Sequence, residues 1–338
     1  MRKLLFPVML GLLASALVVS QALAASPAKP WLGVHVMLGN RGQALAMTEA
    51  VGGLADAGIN AIVAEINYGF EFQSHPELQS DNPCSKEQIG KLVAECRKRN
   101  VRLIPQFQCL GHQSWSKHTF TLLTRYPQFD ESPGQYPENK GIYCRSWCPQ
   151  HPDVNPIIFS LMDELLDAFQ ADAMHVGMDE VFLVGEESCP RCKGKDKAEL
   201  FAKAVNDYRK HLVEEKKVEM LMWGDRLIDA GKIKYGEWEA SANGTAKAID
   251  LVAKDIVICD WHYEPRDAYE SVPMFLEKGF RVWPASWKNA KAAKALIDYS
   301  RAQSNPRMLG HLNTTWGAVP IRDLVNFEPL KLSTSSFK

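Results

Sequence analysis

Short apolar runs of strand length alternate with longer runs of helical spacing through almost the whole chain. That alternation limits the fold more than any other feature. The strand-like runs fall at residues 32–37, 61–65, 102–108, 173–176, 219–222, 256–260, 281–285 and 309–314. Between them, helical patterns occupy 43–56, 86–99, 156–171, 198–216, 245–253, 268–277 and 290–304. Gly58 and Gly279 stand where two of those helices should end. Eight strand–helix steps in a chain of this length predict a single α/β domain, a (β/α)8 TIM barrel over residues 31–338. A doubly wound open sheet is the rival. Its first strand normally leads into a Gly-rich phosphate turn, and Gly39-Asn40-Arg41-Gly42 lacks that spacing.

The first 24 residues have a different character. Arg2 and Lys3 precede an apolar stretch at 4–19, and Ala22-Leu23-Ala24 supplies a small-residue cleavage site. This is the pattern of a secretory signal peptide, and it predicts a secreted or periplasmic protein with a short leader at 25–30. No later segment is long and apolar enough to span a bilayer, so no membrane association is expected after cleavage. A formal net charge of -1 gives no reason to expect a nucleic-acid partner.

Export makes the eight cysteines informative. Cys144/Cys148 and Cys189/Cys192 are spaced either for two disulfides or, taken together, for a structural zinc site. Cys96, Cys109 and Cys259 lie in apolar patterns and read as buried thiols.

A barrel carries its active site at the C-terminal ends of its strands. The second strand ends in Glu65, Asn67 and Tyr68, and the third in Gln106, Gln108 and Gly111-His112. The fourth gives His175, Asp179 and Glu180, and the fifth Trp223, Asp225 and Arg226. Asp260, Trp261, His262 and Tyr263 follow on the sixth, Trp283 and Trp287 on the seventh, and Trp316 after the eighth. Acids and aromatic plates converging on one mouth suit a sugar, whose rings offer C–H faces and hydroxyls. His112 and His175 come with no metal-ligand spacing, and the chain has neither a serine-hydrolase elbow nor a phosphate loop. No cofactor is therefore expected, and the partner is a glycan or glycoconjugate substrate. The long stretch containing 126–152 is read as a functional loop.

His175-Val176-Gly177-Met178-Asp179-Glu180-Val181 resembles the strand-four signature of glycoside hydrolase family 20, the β-N-acetylhexosaminidases. Residues 104–112 (Ile-Pro-Gln-Phe-Gln-Cys-Leu-Gly-His) resemble the strand-three segment of the hexosaminidase D-like branch. Cys148-Pro149-Gln150-His151-Pro152 is similar to another segment of that branch, and Met222-Trp223-Gly224-Asp225 to the strand-five segment. The resemblance implies a retaining exo-β-N-acetylhexosaminidase in which the sugar's own acetamido oxygen is the nucleophile. The usual spacing rule for paired glycosidase carboxylates then does not apply. It further implies that Asp179 orients and stabilises the acetamido group while Glu180 is the general acid–base. Trp223, Trp261 and Trp316 would wall the sugar, and Tyr263 would bond the attacking carbonyl. From their own position, His112 and His175 read as hydrogen-bonding histidines that orient the acids, and they join the substrate site with Asp225.

Two departures keep alternatives open. Strand one reads Gly33-Val34-His35-Val36-Met37, without the Arg that many members use on sugar hydroxyls, and Trp316 is followed by Gly317-Ala318 instead of an acid. A carbohydrate-binding barrel without hydrolysis is one alternative. A retaining glycosidase using Glu65 or Asp260 as a protein nucleophile is another. The additional N-terminal domain common in the family is not expected here.

Overall fold

The computed structural model describes residues 29–338; the signal pattern and most of the leader lie outside the described residues. Eight parallel strands close into a barrel: β1 (Trp31–Met37), β2 (Ala61–Glu65), β3 (Arg102–Cys109), β4 (Ala173–Gly177), β5 (Glu219–Trp223), β6 (Val257–Trp261), β7 (Arg281–Ser286) and β8 (Gly310–Thr314). Each strand pairs with its neighbour in sequence, and β8 closes on β1 with Trp31 opposite Gly310. All eight expected strands are present, each within a residue of its predicted bounds. Among the described residues no helix is long and apolar enough to cross a membrane.

The helices follow local capping chemistry. α1 (Arg41–Ala57) starts where the Asn40 side chain accepts the Gln43 N–H and stops at Gly58, whose φ of 105° closes the last turn. α2 (Lys86–Lys98) opens on a Ser85/Gln88 capping box. α3 (Val154–Phe169), α4 (Lys197–Arg209), α5 (Ser271–Glu277) and α6 (Ala290–Ala302) complete the expected ring. Two helix expectations fail. The predicted helix at 245–253 is only a 3-10 turn, Ala246–Asp250. The predicted 198–216 helix widens into a π-helical turn at Lys210–Glu215, where His211 stacks on Phe159 at 4.2 Å and meets Asp163 at 2.8 Å. These tertiary contacts override the local 3.6-residue pattern. A last helix, α7 (Glu328–Ser336), was not expected from its Ser/Thr-rich sequence.

Alternate residues of each strand point inward. Val63, Ile104, Leu221, Val257, Cys259 and Leu312 fill the barrel with Trp223, Trp261 and Trp283, while the outward residues pack beneath the helices. Trp283 differs from its expected place at the mouth. It is fully buried in the lower barrel, donating its indole N–H to the Trp31 carbonyl at 3.1 Å and meeting the Trp31 ring edge-on at 5.4 Å. Gly33 leaves the room for it, since a Cβ there would lie 2.3 Å from the Trp283 ring.

Candidate active site

β4 ends in an unusual backbone. Gly177, Met178 and Glu180 all have positive φ, at 68°, 74° and 48°. Non-glycine residues rarely hold this conformation, and such strain clusters at functional sites. The sharp turns throw the Asp179 and Glu180 side chains over the mouth. At Gly177 a side chain is excluded twice, by φ and by space. Its Cβ would sit 1.5 Å from the Gln108 amide oxygen.

Gln108 is what that space is kept for. Its Nε2 donates to Asp179 Oδ1 at 2.9 Å. On the other side, His112 Nε2 lies 3.4 Å from Asp179 Oδ2 and 3.3 Å from Glu180 Oε2. Burial alone would raise the Asp179 pKa. The His112 charge and the hydrogen bonds from His112 and Gln108 outweigh it and hold this carboxyl below its usual range. His112 is driven well above the ordinary imidazole value, because its interactions with Asp179 and Glu180 overcome burial. His112 thus sits between the carboxyl groups of Asp179 and Glu180. These same three groups form a cluster with donor atoms within 4.8 Å of one another, a spacing that also fits a metal ion.

Glu180 is fixed through its main chain. Its N–H donates to Asp225 Oδ2 at 2.9 Å. Arg226 Nε donates to the same oxygen at 2.7 Å, and the Trp261 indole N–H reaches Asp225 Oδ1 at 3.2 Å. Asp225 therefore ties the Asp179-Glu180 turn to the β6 tryptophan. Its own carboxyl is pushed up to about 6, by burial above all, with Asp179 and Glu180 adding to the shift against the opposing effect of Arg226.

Aromatic rings surround the pair. Trp223 and Trp316 lie 5.6 Å apart between ring centres, and Trp261 and Tyr263 4.8 Å apart. The Tyr263 hydroxyl accepts the Trp316 indole N–H at 2.7 Å, which leaves its own O–H proton free to donate. Burial, followed by smaller effects that include both acids, raises the Tyr263 pKa, so the phenol stays protonated at neutral pH. Trp223 is fully buried, and its indole N–H has no partner among the described residues. His175 sits below this wall. It is fully buried against Trp223, accepts the Gly177 N–H on Nδ1 at 3.0 Å, and is pushed down to about 3 by burial. A neutral His175 shapes the strand end from beneath.

The two carboxylates weighed as protein nucleophiles are engaged elsewhere. Glu65 accepts from His35 (2.9 Å) and Gln106 (3.0 Å) on one oxygen and from Asn67 (2.8 Å) on the other. Asp260 alternates with the inward Cys259 and Trp261, so it faces the helices. It accepts Ser271 Oγ–H at 2.7 Å and lies 3.1 Å from His262.

The long β3–α3 loop supplies residues that sequence reasoning missed. Tyr143 meets His112 at 5.7 Å and the exposed Trp238 at 4.9 Å, and its pKa is raised by burial and then by Glu180. The loop also corrects the cysteine grouping. Cys144 takes the His112 N–H at 3.4 Å and faces the Glu180 carbonyl at 3.7 Å. Cys148 instead faces Cys189 and Cys192, at 3.4 and 3.5 Å. All eight thiols are free and buried, so of the two options left open by the spacing, the Cys144/Cys148 and Cys189/Cys192 disulfides are not present. Three residues separate Cys144 from Cys148, and the loop turns between them so that the two point to different places.

Comparison with known proteins agrees with this geometry. The profile of the glycosyl hydrolase family 20 catalytic domain matches residues 65–320. The chain belongs to that family. A curated relative, the beta-hexosaminidase of Akkermansia muciniphila, is 30% identical over 112 residues, covering 32% of this chain and 22% of the relative. Chitobiase from Flavobacterium johnsoniae superposes with a TM-score of 0.65 at 17% identity, covering 91% of this chain and 48% of that one. The exo beta-N-acetylglucosaminidase of Vibrio harveyi, solved with N-acetylglucosamine, gives a TM-score of 0.63 at 17% identity, covering 92% and 54%. This chain thus spans about half or less of these relatives, and the structural likeness establishes the shared barrel.

Proposed function

We propose that this protein is an exported exo-β-N-acetylhexosaminidase that removes terminal N-acetylglucosamine or N-acetylgalactosamine by substrate-assisted retention. One observation carries the reading. Two adjacent carboxylates share His112 at 3.4 and 3.3 Å within a tryptophan-walled mouth, yet their anchoring differs. The Asp179 carboxyl is gripped by Gln108 as well as His112 and held ionised, whereas Glu180 is anchored through its backbone N–H on Asp225 and turns its carboxyl toward His112 at the mouth.

The chemistry follows from that division. Glu180 protonates the glycosidic oxygen as the acetamido oxygen attacks the anomeric carbon, so the C–O bond to the leaving group breaks and an oxazolinium ion forms. Asp179 accepts the acetamido N–H and offsets its growing positive charge. Tyr263, still a neutral phenol, donates its O–H to the acetamido oxygen and orients it. Glu180, now a carboxylate, then takes a proton from water as the water opens the oxazolinium ring. Export is supported by the signal pattern of residues 1–24.

A panel of aryl β-glycosides with and without a 2-acetamido group tests the proposal. Turnover should be confined to the acetamido sugars, and Glu180→Gln should lose about 10²–10⁴-fold. A thiazoline mimic of the oxazolinium should bind far more tightly than the product sugar. Equal turnover of sugars lacking the acetamido group would overturn it. Binding without hydrolysis, with equal affinity for mimic and product, would establish the non-catalytic sugar-binding barrel instead.

A further inference from the structure

Away from the catalytic acids, Glu131, Cys148, Cys189 and Cys192 bring one carboxylate oxygen and three thiol sulfurs within 4.8 Å of one another. All four are buried, with exposures of 1% or less. The sulfurs are not joined. Their 3.4 and 3.5 Å separations far exceed the ~2.05 Å of a disulfide and approach the spacing of neighbouring ligands around one tetrahedral ion.

The carboxylate gives the second, independent sign. Glu131 Oε1 accepts the N–H groups of Gly185 (2.7 Å) and Glu186 (3.1 Å), which fixes the side chain. Its Oε2 is buried with no hydrogen-bond partner. A carboxylate oxygen in that position needs a cation or a donor. Cys148-Pro149 and Cys189-Pro190 are also matching Cys-Pro steps in the two loops.

We propose that Glu131, Cys148, Cys189 and Cys192 form a closed structural zinc site. Three thiolates and a carboxylate suit Zn²⁺ in a tetrahedral structural site, and zinc does no redox chemistry. The donor set differs from the one suggested by cysteine spacing, because Glu131 takes the place of Cys144. Its position defines its work. Glu131 and Cys148 bracket the part of the β3–α3 loop that carries Tyr143 and Cys144, and Cys189 and Cys192 lie in the loop that leaves Asp179-Glu180. The ion ties these two rim loops together beside the catalytic turn.

The test uses the full mature chain, purified without chelator. Elemental analysis should find one zinc per chain. Reconstitution with Co²⁺ after zinc removal should give the thiolate-to-cobalt charge-transfer absorption of a multi-cysteine site. Cys192→Ser should lose that absorption and weaken metal binding by more than the roughly 10–100-fold typical of a disturbed outer-shell partner. Should Cys192→Ser fail to fold, Glu131→Gln gives the second reading: a changed cobalt spectrum and weaker zinc retention in a folded chain. Cys144→Ser should keep its zinc. The proposal is overturned if the reduced chain takes up neither zinc nor cobalt, if Cys144→Ser abolishes binding while Glu131→Gln leaves it unchanged, or if the native protein is two hydrogens light through a bond among Cys148, Cys189 and Cys192. None of these readouts depends on glycosidase activity.

Discussion

At the N-terminal end of the barrel, charge and shape are matched in place. Arg102 reaches Asp172 at 2.8 Å and Glu219 at 2.6 Å, Arg281 also binds Glu219, and the Arg102 guanidinium lies 4.7 Å from the centre of the Trp31 ring that covers Trp283. At the C-terminal end, Met178, Glu180 and Trp316 hold positive φ, and buried polar atoms of Trp223 and Gln108 have no partner among the described residues. The lower end serves folding. The upper end keeps strained backbone and unspent hydrogen-bonding capacity where a substrate can use them.

The strongest attempt to break this contrast is Trp283→Ala. Emptying the lower barrel should cost about 3–5 kcal/mol in urea unfolding while the folded fraction keeps its turnover. Equal loss of turnover and stability would show that the two ends are not separable. Next is Gly177→Ala, whose methyl would collide with Gln108. A misplacement on this scale should lower turnover about 10²-fold, equivalent to ~2.7 kcal/mol of barrier. Gln108→Leu should be milder. It removes a hydrogen bond to a charged group, worth about 1.5–3 kcal/mol, and lets the Asp179 pKa rise, so the acid limb of the kcat/KM profile should move to higher pH.

The pH dependence of stability sharpens the comparison further. Asp179 has a lowered folded pKa, so its contribution is present above about pH 3.9 and is lost as pH falls through the lowered value. His112 has a raised folded pKa, so its contribution is whole below about pH 6.5 and is lost as pH rises through the raised value. The stability difference between wild type and His112→Phe should therefore be largest between about pH 4 and 6.5 and shrink on the alkaline side. A difference that grew with pH would refute the imidazolium assignment. The smallest effect belongs to Glu219→Gln, whose partly exposed ion pairs should yield no more than about 1 kcal/mol each, less in high salt.

The barrel was legible because its strands are short apolar runs bounded by clear breaks, and the candidate acid pair because adjacent acids follow β4 directly. What sequence could not supply was depth. Trp283 and Trp223 both sit on strands and both point inward, but the tilt of the barrel puts one near the floor and the other beneath the mouth. Nor could it supply the path of an irregular loop. Cys144 and Cys148 look like partners by spacing and are separated by the chain's turn, while Glu131, distant in sequence, arrives beside the sulfurs. Gln108 was visible as a strand-end residue, but its hold on Asp179 depends on a glycine at the end of the neighbouring strand. Tyr143 carried no local signal beyond lying in a long loop.

The positive φ at Glu180 has a consequence for how such a protein would drift under selection. One of the positions where a glycine would relieve the backbone is the one whose carboxylate the proposed reaction needs. Variants chosen for heat resistance alone would be rewarded for replacing it, by up to about 1–3 kcal/mol, and would become sturdier barrels with nothing to offer a glycoside.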